Sequence, residues 1–453
     1  MGRIFGTDGA RGVANSELTC ELATEIGRAA AAVLARHCHE RPKFLIGMDT
    51  RISSRMLEAA LISGLCSVGA DVVSLGVVPT PAVAYLVGAY KADAGVMISA
   101  SHNTFEYNGI KLFSSSGYKL SDSIEEEIEA IILDGAAAPE LKTGKDIGRV
   151  YRCDTAVDDY IDHIISTADV RFDSMKVALD CANGSSSVTA EKLFSKLGAE
   201  CLVINAQPDG ININHNCGST HLSALSEFVV ANGCDVGFAF DGDADRCLAI
   251  DSDGNEVDGD KLIAVISAEM KRNNTLKNDT AVITVMSNIG FWKFCDKNGI
   301  KAVKTAVGDR YVLEEMLKSG YNIGGEQSGH IIFLDYATTG DGQLTAVQTL
   351  CTMKKRGESL KKLAEIMTCY PQTLVNIRVT PEGKAALSSD DAVKAAIAEA
   401  EEKLCSDGRV LVRVSGTEPL IRVMLEGPEK AIIDRLAGDI AAVIKERLGS
   451  DEN

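Results

Sequence analysis

Three times along this chain of 453 residues an apolar run gives way to a polar turn and then to a helical pattern. Lys43–Met48 leads into DTRISSRMLEAALISGLCSVGA, residues 176–179 into DCANGSSSVTAEKLFSKLGAE, and residues 281–286 into SNIGFWKFCDKNGI. Each helical stretch ends near a glycine, and a second β-like run then begins, as in DVVSLGV and CLVIN. Strand–helix–strand units of this kind predict mostly parallel sheets with helices packed on them. Three recurrences predict three related α/β domains, and the chain is long enough for roughly three domains of ordinary size.

The last part of the chain is patterned differently. TLVNIRVT alternates like a half-exposed strand, and residues 390–405 form a strong helix pattern. RVLVRVSGTEPLIRVML follows as two strands around a turn, and EKAIIDRLAGDIAAVIKERLG closes as an amphipathic helix. A small α+β domain with an antiparallel sheet is expected there. The expected segments are 1–152, 153–254 and 255–368 for the α/β domains and 369–453 for the α+β domain.

Charge narrows the partners. The formal net charge is −18, which repels nucleic acid and anionic membranes. An anionic substrate could bind only where Arg, Lys and backbone N–H groups are gathered locally. No apolar run approaches the roughly 18–20 residues that span a bilayer, and MGRIFGTDGARG lacks the apolar core of a signal peptide, so a cytoplasmic location is expected. The 13 cysteines include no CxxC pair and are expected to be reduced thiols. His37-Cys38-His39 is not expected to bind a metal, because neighbouring residues at a helix end point different ways.

Four short loops carry the chemistry. GVMISASHNTFEYNGIKLF, residues 95–113, opens as a buried strand and breaks at Ser99 into small and polar residues that include Ser101, His102 and Asn103. FDGDADR places Asp241, Asp243 and Asp245 in a tight loop between a strand and a hairpin with Asp253-Gly254 in its turn. Three carboxylates in five residues repel unless they are solvated or share a cation. The spacing excludes an EF-hand, and hard oxygens with few other protein ligands suit Mg²⁺. GGEQSGH offers Glu326, Gln327 and Ser328 between glycines, as a plain turn or as a binding loop. RVSGTEPLIR sets Ser415, Gly416 and Thr417 between Arg413 and Arg422, either a β-turn with surface arginines or a phosphate cradle. A serine hydrolase is disfavoured: Ser101 has no G-x-S-x-G setting, and on an extended strand end His102 should point away from it. A phosphorylated Ser101 sharing a Mg²⁺ with the three aspartates explains the loop better.

SASHN, DGDADR, GEQSGH and RVSGTEP, in this order and with FGTDGARG and NGIK ahead of or between them, resemble the α-D-phosphohexomutase superfamily across the whole chain. Gln327 and the FGTDGxRG start are closest to the branch acting on glucosamine phosphates. The alternative is a branch acting on unsubstituted hexoses, a phosphomannomutase or phosphoglucomutase. The resemblance implies three mixed α/β domains and a C-terminal α+β domain, each giving one loop to a central cleft. It implies interconversion of glucosamine 6-phosphate and glucosamine 1-phosphate through a phosphoserine and a 1,6-bisphosphate.

By the same resemblance Ser101 is the phosphoserine, and Asp241, Asp243, Asp245 and the Ser101 phosphate hold one Mg²⁺ per subunit. Arg11 and Arg246 flank the transferring group, and Lys111 and His330 are the candidate proton carriers. Glu326 and Ser328 bind sugar hydroxyls; Arg413, Ser415, Gly416, Thr417 and Arg422 grip the phosphate that does not react. Glucosamine or glucose 1,6-bisphosphate is implied as activator, a sugar phosphate is the only partner expected, and a homodimer is left open. Two positions depart from the pattern: Thr104 stands where proline is usual, which would loosen the serine loop. Met48 stands in GMDTR where GRDTR is common, which would remove a positive charge near the cleft.

Overall fold

The computed structural model describes residues 2–6, 8–34, 36, 41–137, 139–415 and 419–449. They form two compact units, Met1–Met286 with Asn298–Ile366, and Ser287–Lys297 with Met367–Asn453.

The first unit holds three sheets built on one plan. In the first sheet Lys43–Met48 runs parallel to Asp71–Val77 on one side and to Ala94–Ile98 on the other, and Tyr107–Ser114 returns antiparallel beside Ala94–Ile98. In the second, Lys176–Asp180 lies between the parallel strands Glu200–Ile204 and Val236–Phe240, and Cys247–Asp251 returns antiparallel. In the third, Thr280–Thr284 lies between Lys301–Thr305 and Ile323–Gly325, and Ile331–Phe333 returns antiparallel. Each sheet therefore runs second, first, third, fourth strand, with only the fourth reversed. The first sheet gains Phe5–Gly6 and Gly9–Val13 at one edge and Val150–Arg152 at the other; the second gains Glu256–Val257 through the expected hairpin.

Strands covered on both faces must be apolar throughout. Phe44, Leu45 and Ile46 are inaccessible, as are Val282 and Ile283, which is why these runs are continuous rather than alternating. In all three sheets the chain leaves the carboxyl end of the third strand, makes a polar loop and comes back as the reversed fourth. Those loops hold Ser101, Asp241–Arg246 and Glu326–His330. Ligands of open α/β sheets bind beyond the carboxyl ends of strands, so the fold sets these loops where chemistry is usual.

The second unit carries an antiparallel sheet in the order Gln372–Arg378, Leu420–Glu426, Arg409–Val414. Ile421, Val423 and Leu425 face Ile433, Leu436, Ile440 and Ile444 of the amphipathic helix Lys430–Leu448. The amino end of the helix Ile289–Asn298 belongs to this unit: buried Glu426 accepts from the Ile289 nitrogen at 3.0 Å and pairs with Arg409 at 2.8 Å. Among the described residues the cysteines are free thiols, and no helix is long and apolar enough to cross a membrane. His37-Cys38-His39 lies outside the described residues.

Candidate active site

The nucleophile candidate and the acidic loop meet in the first unit. Ser101 is buried and its Oγ donates to Asp241 Oδ2 at 2.6 Å. Asp241, Asp243 and Asp245 each turn one oxygen into a group within 4.8 Å of one another, and all three are buried. Asp243 Oδ1 and Asp245 Oδ1 have no hydrogen-bond partner among the described residues. Burial, reinforced by Asp245 and Asp243, pushes the Asp241 carboxyl well above the ordinary range. Buried carboxylate oxygens left unpaired are costly, and a hard-oxygen donor set of this kind fits a metal ion.

Cations crowd the other side. Lys111 is almost inaccessible, and its amine lies 2.8 Å from Asp243, 3.0 Å from Asp8 and 3.5 Å from Asp245. Burial works against its charge, but the three carboxylates outweigh burial and raise its pKa. The same ammonium holds Asp243 below the usual range although burial opposes this. Asp8 also pairs with Arg11 and Lys119, and Lys119 joins it to Asp309. His330 Nε2 stands 3.5 Å from Asp309 and 3.8 Å from Asp245. Burial, then the charges of Arg246 and Arg11, push His102 down to about 4, so its ring is neutral near pH 7.

The third loop is laced to the acidic one. Cys247 donates from its nitrogen to the Gly329 carbonyl at 3.0 Å, and Arg246 bridges to His330 through the backbone. Glu326 accepts from the Gly308 nitrogen at 3.1 Å, Gln327 donates to Asp258 at 3.1 Å, and Ser328 is exposed. In the second unit, Arg413 and Arg422 sit directly opposite each other on adjacent strands. Burial and then the Arg422 charge lower the Arg413 pKa, the electrostatics of a place that favours an anion. Ser415 is buried, with its nitrogen donating to the Leu420 carbonyl at 2.8 Å; Gly416 and Thr417 lie outside the described residues.

Two expectations need correction. The core strand stops at Ile98, and Ser101 adopts a left-handed backbone with φ of 52°, so Ser101 Oγ and His102 Nδ1 come within 3.4 Å instead of pointing apart. Met48 is buried in the hydrophobic core of the first sheet, so its side chain takes no charge away from the site. Sequence reasoning also passed over several participants. Asp8 lies inside FGTDGARG, where the sequence gives it no role, and Lys119, Asp309 and Thr80, which donates to Asp243 at 2.6 Å, belong to no motif.

Comparison with known proteins agrees with this geometry. Four models of the phosphoglucomutase/phosphomannomutase family match in order: alpha/beta/alpha domain I over residues 2–138, domain II over 158–254, domain III over 258–370, and the C-terminal domain over 374–443. The chain is 54% identical to a phosphoglucosamine mutase of Clostridium novyi, covering 99% of each. It is 55% identical to one of Clostridium acetobutylicum, over 99% of this chain and 100% of that one. A phosphoglucomutase/phosphomannomutase family protein of Burkholderia thailandensis shares the fold at a TM-score of 0.82, with 24% identity and 98% of both chains covered. A phosphomannomutase-like structure from Thermus thermophilus gives 0.78 at 21% identity, covering 98% of this chain and 100% of that one. With one sheet plan used three times, a serine facing three aspartates, and all four domain models matched in sequence order, this chain belongs to the phosphoglucomutase/phosphomannomutase family.

Proposed function

We propose that this chain acts as a phosphoglucosamine mutase in the cytoplasm, exchanging the phosphoryl group of glucosamine between O6 and O1. The observation that carries the reading is the 2.6 Å approach of Ser101 Oγ to Asp241 within a buried group of three carboxylates. A buried serine beside three acids suits a phosphoserine when a cation sits among them, and the three carboxylates offer the donor set for one.

In the forward direction the bond between phosphorus and the Ser101 oxygen breaks as a bond to O1 of glucosamine 6-phosphate forms. The hydroxyl proton of the sugar leaves and the serine oxygen regains one. The bisphosphate then presents its other end, and Ser101 takes the group from O6, leaving glucosamine 1-phosphate. Asp241, Asp243 and Asp245, with the Ser101 phosphate, would hold one Mg²⁺, which when bound supplies positive charge to the transferring oxygens. Lys111, enclosed by three carboxylates, is assigned the part of a fixed positive charge in place of the proton carrier first expected. His330, beside Asp309, is left to move the proton. Arg11 and Arg246 are assigned to the transferring phosphoryl group, Glu326 and Ser328 to sugar hydroxyls. Arg413, Ser415, Gly416, Thr417 and Arg422 are assigned the phosphate that does not react. Glucosamine or glucose 1,6-bisphosphate would charge Ser101 at the outset.

Intact-mass analysis before and after incubation with glucose 1,6-bisphosphate should show a gain of one phosphate mapping to Ser101. Turnover of glucosamine 6-phosphate should then exceed that of mannose and glucose 1-phosphates. A preference for the unsubstituted hexoses would move the chain to another branch of its family. Steady release of inorganic phosphate with no isomer formed would make it a phosphatase.

A further inference from the structure

Ser101 sits in a backbone conformation that a serine reaches only at a cost. Something must hold it there, and the holding groups come from two other parts of the chain. Arg51 has a wholly inaccessible side chain, and its guanidinium donates to the carbonyls of Ser101 at 3.0 Å, Asn103 at 2.8 Å, Tyr107 at 3.1 Å, and Thr104. Asn214, from the second α/β domain, donates from Nδ2 to the carbonyls of Ser101 and Asn103, each at 2.8 Å. On the other side of the same residue, the Ser101 nitrogen donates to Ser99 Oγ at 3.0 Å. Asp49 ties these together, accepting from Arg51 Nε at 2.8 Å and from Ser99 Oγ at 2.7 Å.

Burying a guanidinium is expensive, and an apolar side chain could fill the same space. What an apolar group could not do is fix four carbonyls of one loop in a single geometry. The Thr104 carbonyl is among the four that the guanidinium holds. The Ser101 carbonyl is at the same time the point where the serine loop meets the acidic loop. A Cβ built on Gly242 would lie 2.6 Å from that oxygen and 2.8 Å from Asn214 Nδ2. A shift of this carbonyl therefore moves Ser101 Oγ relative to Asp241.

We propose that Arg51 and Asn214 are positioning residues for phosphoryl transfer: by clamping the Ser101 carbonyl they keep the serine left-handed and its Oγ aimed at the acidic group. The inference rests on the mutase reading. It predicts a defect in transfer and none in sugar-phosphate binding. Misplacing a reacting atom by about 1 Å costs roughly a hundredfold in rate.

The test compares the parent enzyme with Asn214→Ala, Asn214→Asp and Arg51→Lys. Steady-state kinetics would be measured per phosphorylatable Ser101, together with the rate of Ser101 phosphorylation by glucose 1,6-bisphosphate. Asn214→Ala should lower kcat about tenfold with KM within about twofold, since one of two donors is lost. Asn214→Asp, which turns an acceptor toward two carbonyls, and Arg51→Lys, which loses the planar fork, should each lower kcat by about a hundredfold. The rate of Ser101 phosphorylation should fall by the same factors. A residue that merely supports the fold would lower the phosphorylatable fraction and leave the rate per competent site alone. If every folded variant keeps kcat per competent site within about twofold of the parent, or if KM rises while kcat holds, the clamp is wrong. Should Arg51→Lys fail to fold, Asn214→Ala decides, because it adds no charge and leaves none unpaired. A parent enzyme that neither gains phosphate on Ser101 nor isomerises any hexose phosphate would sink the mutase reading and the clamp with it. A competent parent with variants that match it sinks the clamp alone.

Discussion

Asp341 caps the helix Gly342–Arg356, whose first residue lies under the acidic loop: the Gly342 nitrogen donates to the Ala244 carbonyl at 3.0 Å. The Asp341 carboxyl is buried, accepts from the Leu344 nitrogen at 2.9 Å, and takes the Tyr160 hydroxyl at 3.0 and 2.9 Å. These bonds favour the charged form, yet burial outweighs them and pushes the group up to about 7 from the ordinary 3.8. Below pH about 4 both folded and unfolded chains carry this proton, and it has no effect on stability. As pH rises from about 4 to 7 the unfolded chain releases the proton while the folded protein keeps it, so stability falls through that window. The gap is about three pH units at 1.36 kcal/mol each, so the loss approaches about 4 kcal/mol and is complete above pH 7. Asp341→Asn removes the titration and keeps an oxygen for the helix cap. Melting temperatures of parent and variant would be followed in EDTA between pH 4 and 8. The variant should gain on the parent by several degrees across that range, whatever constant offset the rearranged Tyr160 bond adds. A difference that stays flat with pH would mean that Asp341 ionises normally when folded, and the burial argument would fail.

Three further outcomes follow from the same geometry. Asp243→Asn should weaken Mg²⁺ activation by more than about a hundredfold in metal concentration, and an unchanged Mg²⁺ titration would count against the acidic loop as the metal site. Arg422→Ala should raise KM by about 10–100-fold, as expected for one charge-assisted hydrogen bond to a phosphate that does not react, with kcat held within a few fold. A pure kcat loss would contradict that assignment. Gly242→Ala sets a methyl group 2.6 Å from the Ser101 oxygen and 2.8 Å from the Ile213 side chain, so turnover should drop by about a hundredfold in a protein that still folds. Activity near that of the parent would show that the two loops can part freely.

What could be read from the chain follows the range of each signal. A continuous apolar run is a local mark of a strand covered on both faces, and Lys43–Met48 is such a strand, residue for residue. Ser101 and the three aspartates stood out only as members of a set, because a lone acidic turn reads equally well as a solvated one, and the order of four such motifs carries the resemblance that singles them out. Lys119 and Asp309 were not, since in a chain of charge −18 a lone acid or base looks the same whether it is solvated or buried. Only the fold distinguishes them. The error over Ser101 and His102 has the same origin: an extended backbone was carried three residues past Ile98, where the left-handed φ had already turned the chain.

Strand order was the least visible feature, because pairing between distant segments leaves no periodicity, yet it explains the site best. The recurrences in the sequence lie at the first strand of each α/β domain, whereas the chemistry lies after the third. Because each sheet inserts its third strand beside the first and then reverses, all three domains must make a loop at the same place, at the carboxyl end of a buried strand. Repetition of one plan thus supplies three equivalent loops, and their sequences are free to diverge into SASHN, DGDADR and GEQSGH. Divergence at one topological position, on a scaffold kept constant by its apolar strands, lets a single supersecondary unit furnish three chemically different loops, the ones proposed above as nucleophile, metal group and sugar loop.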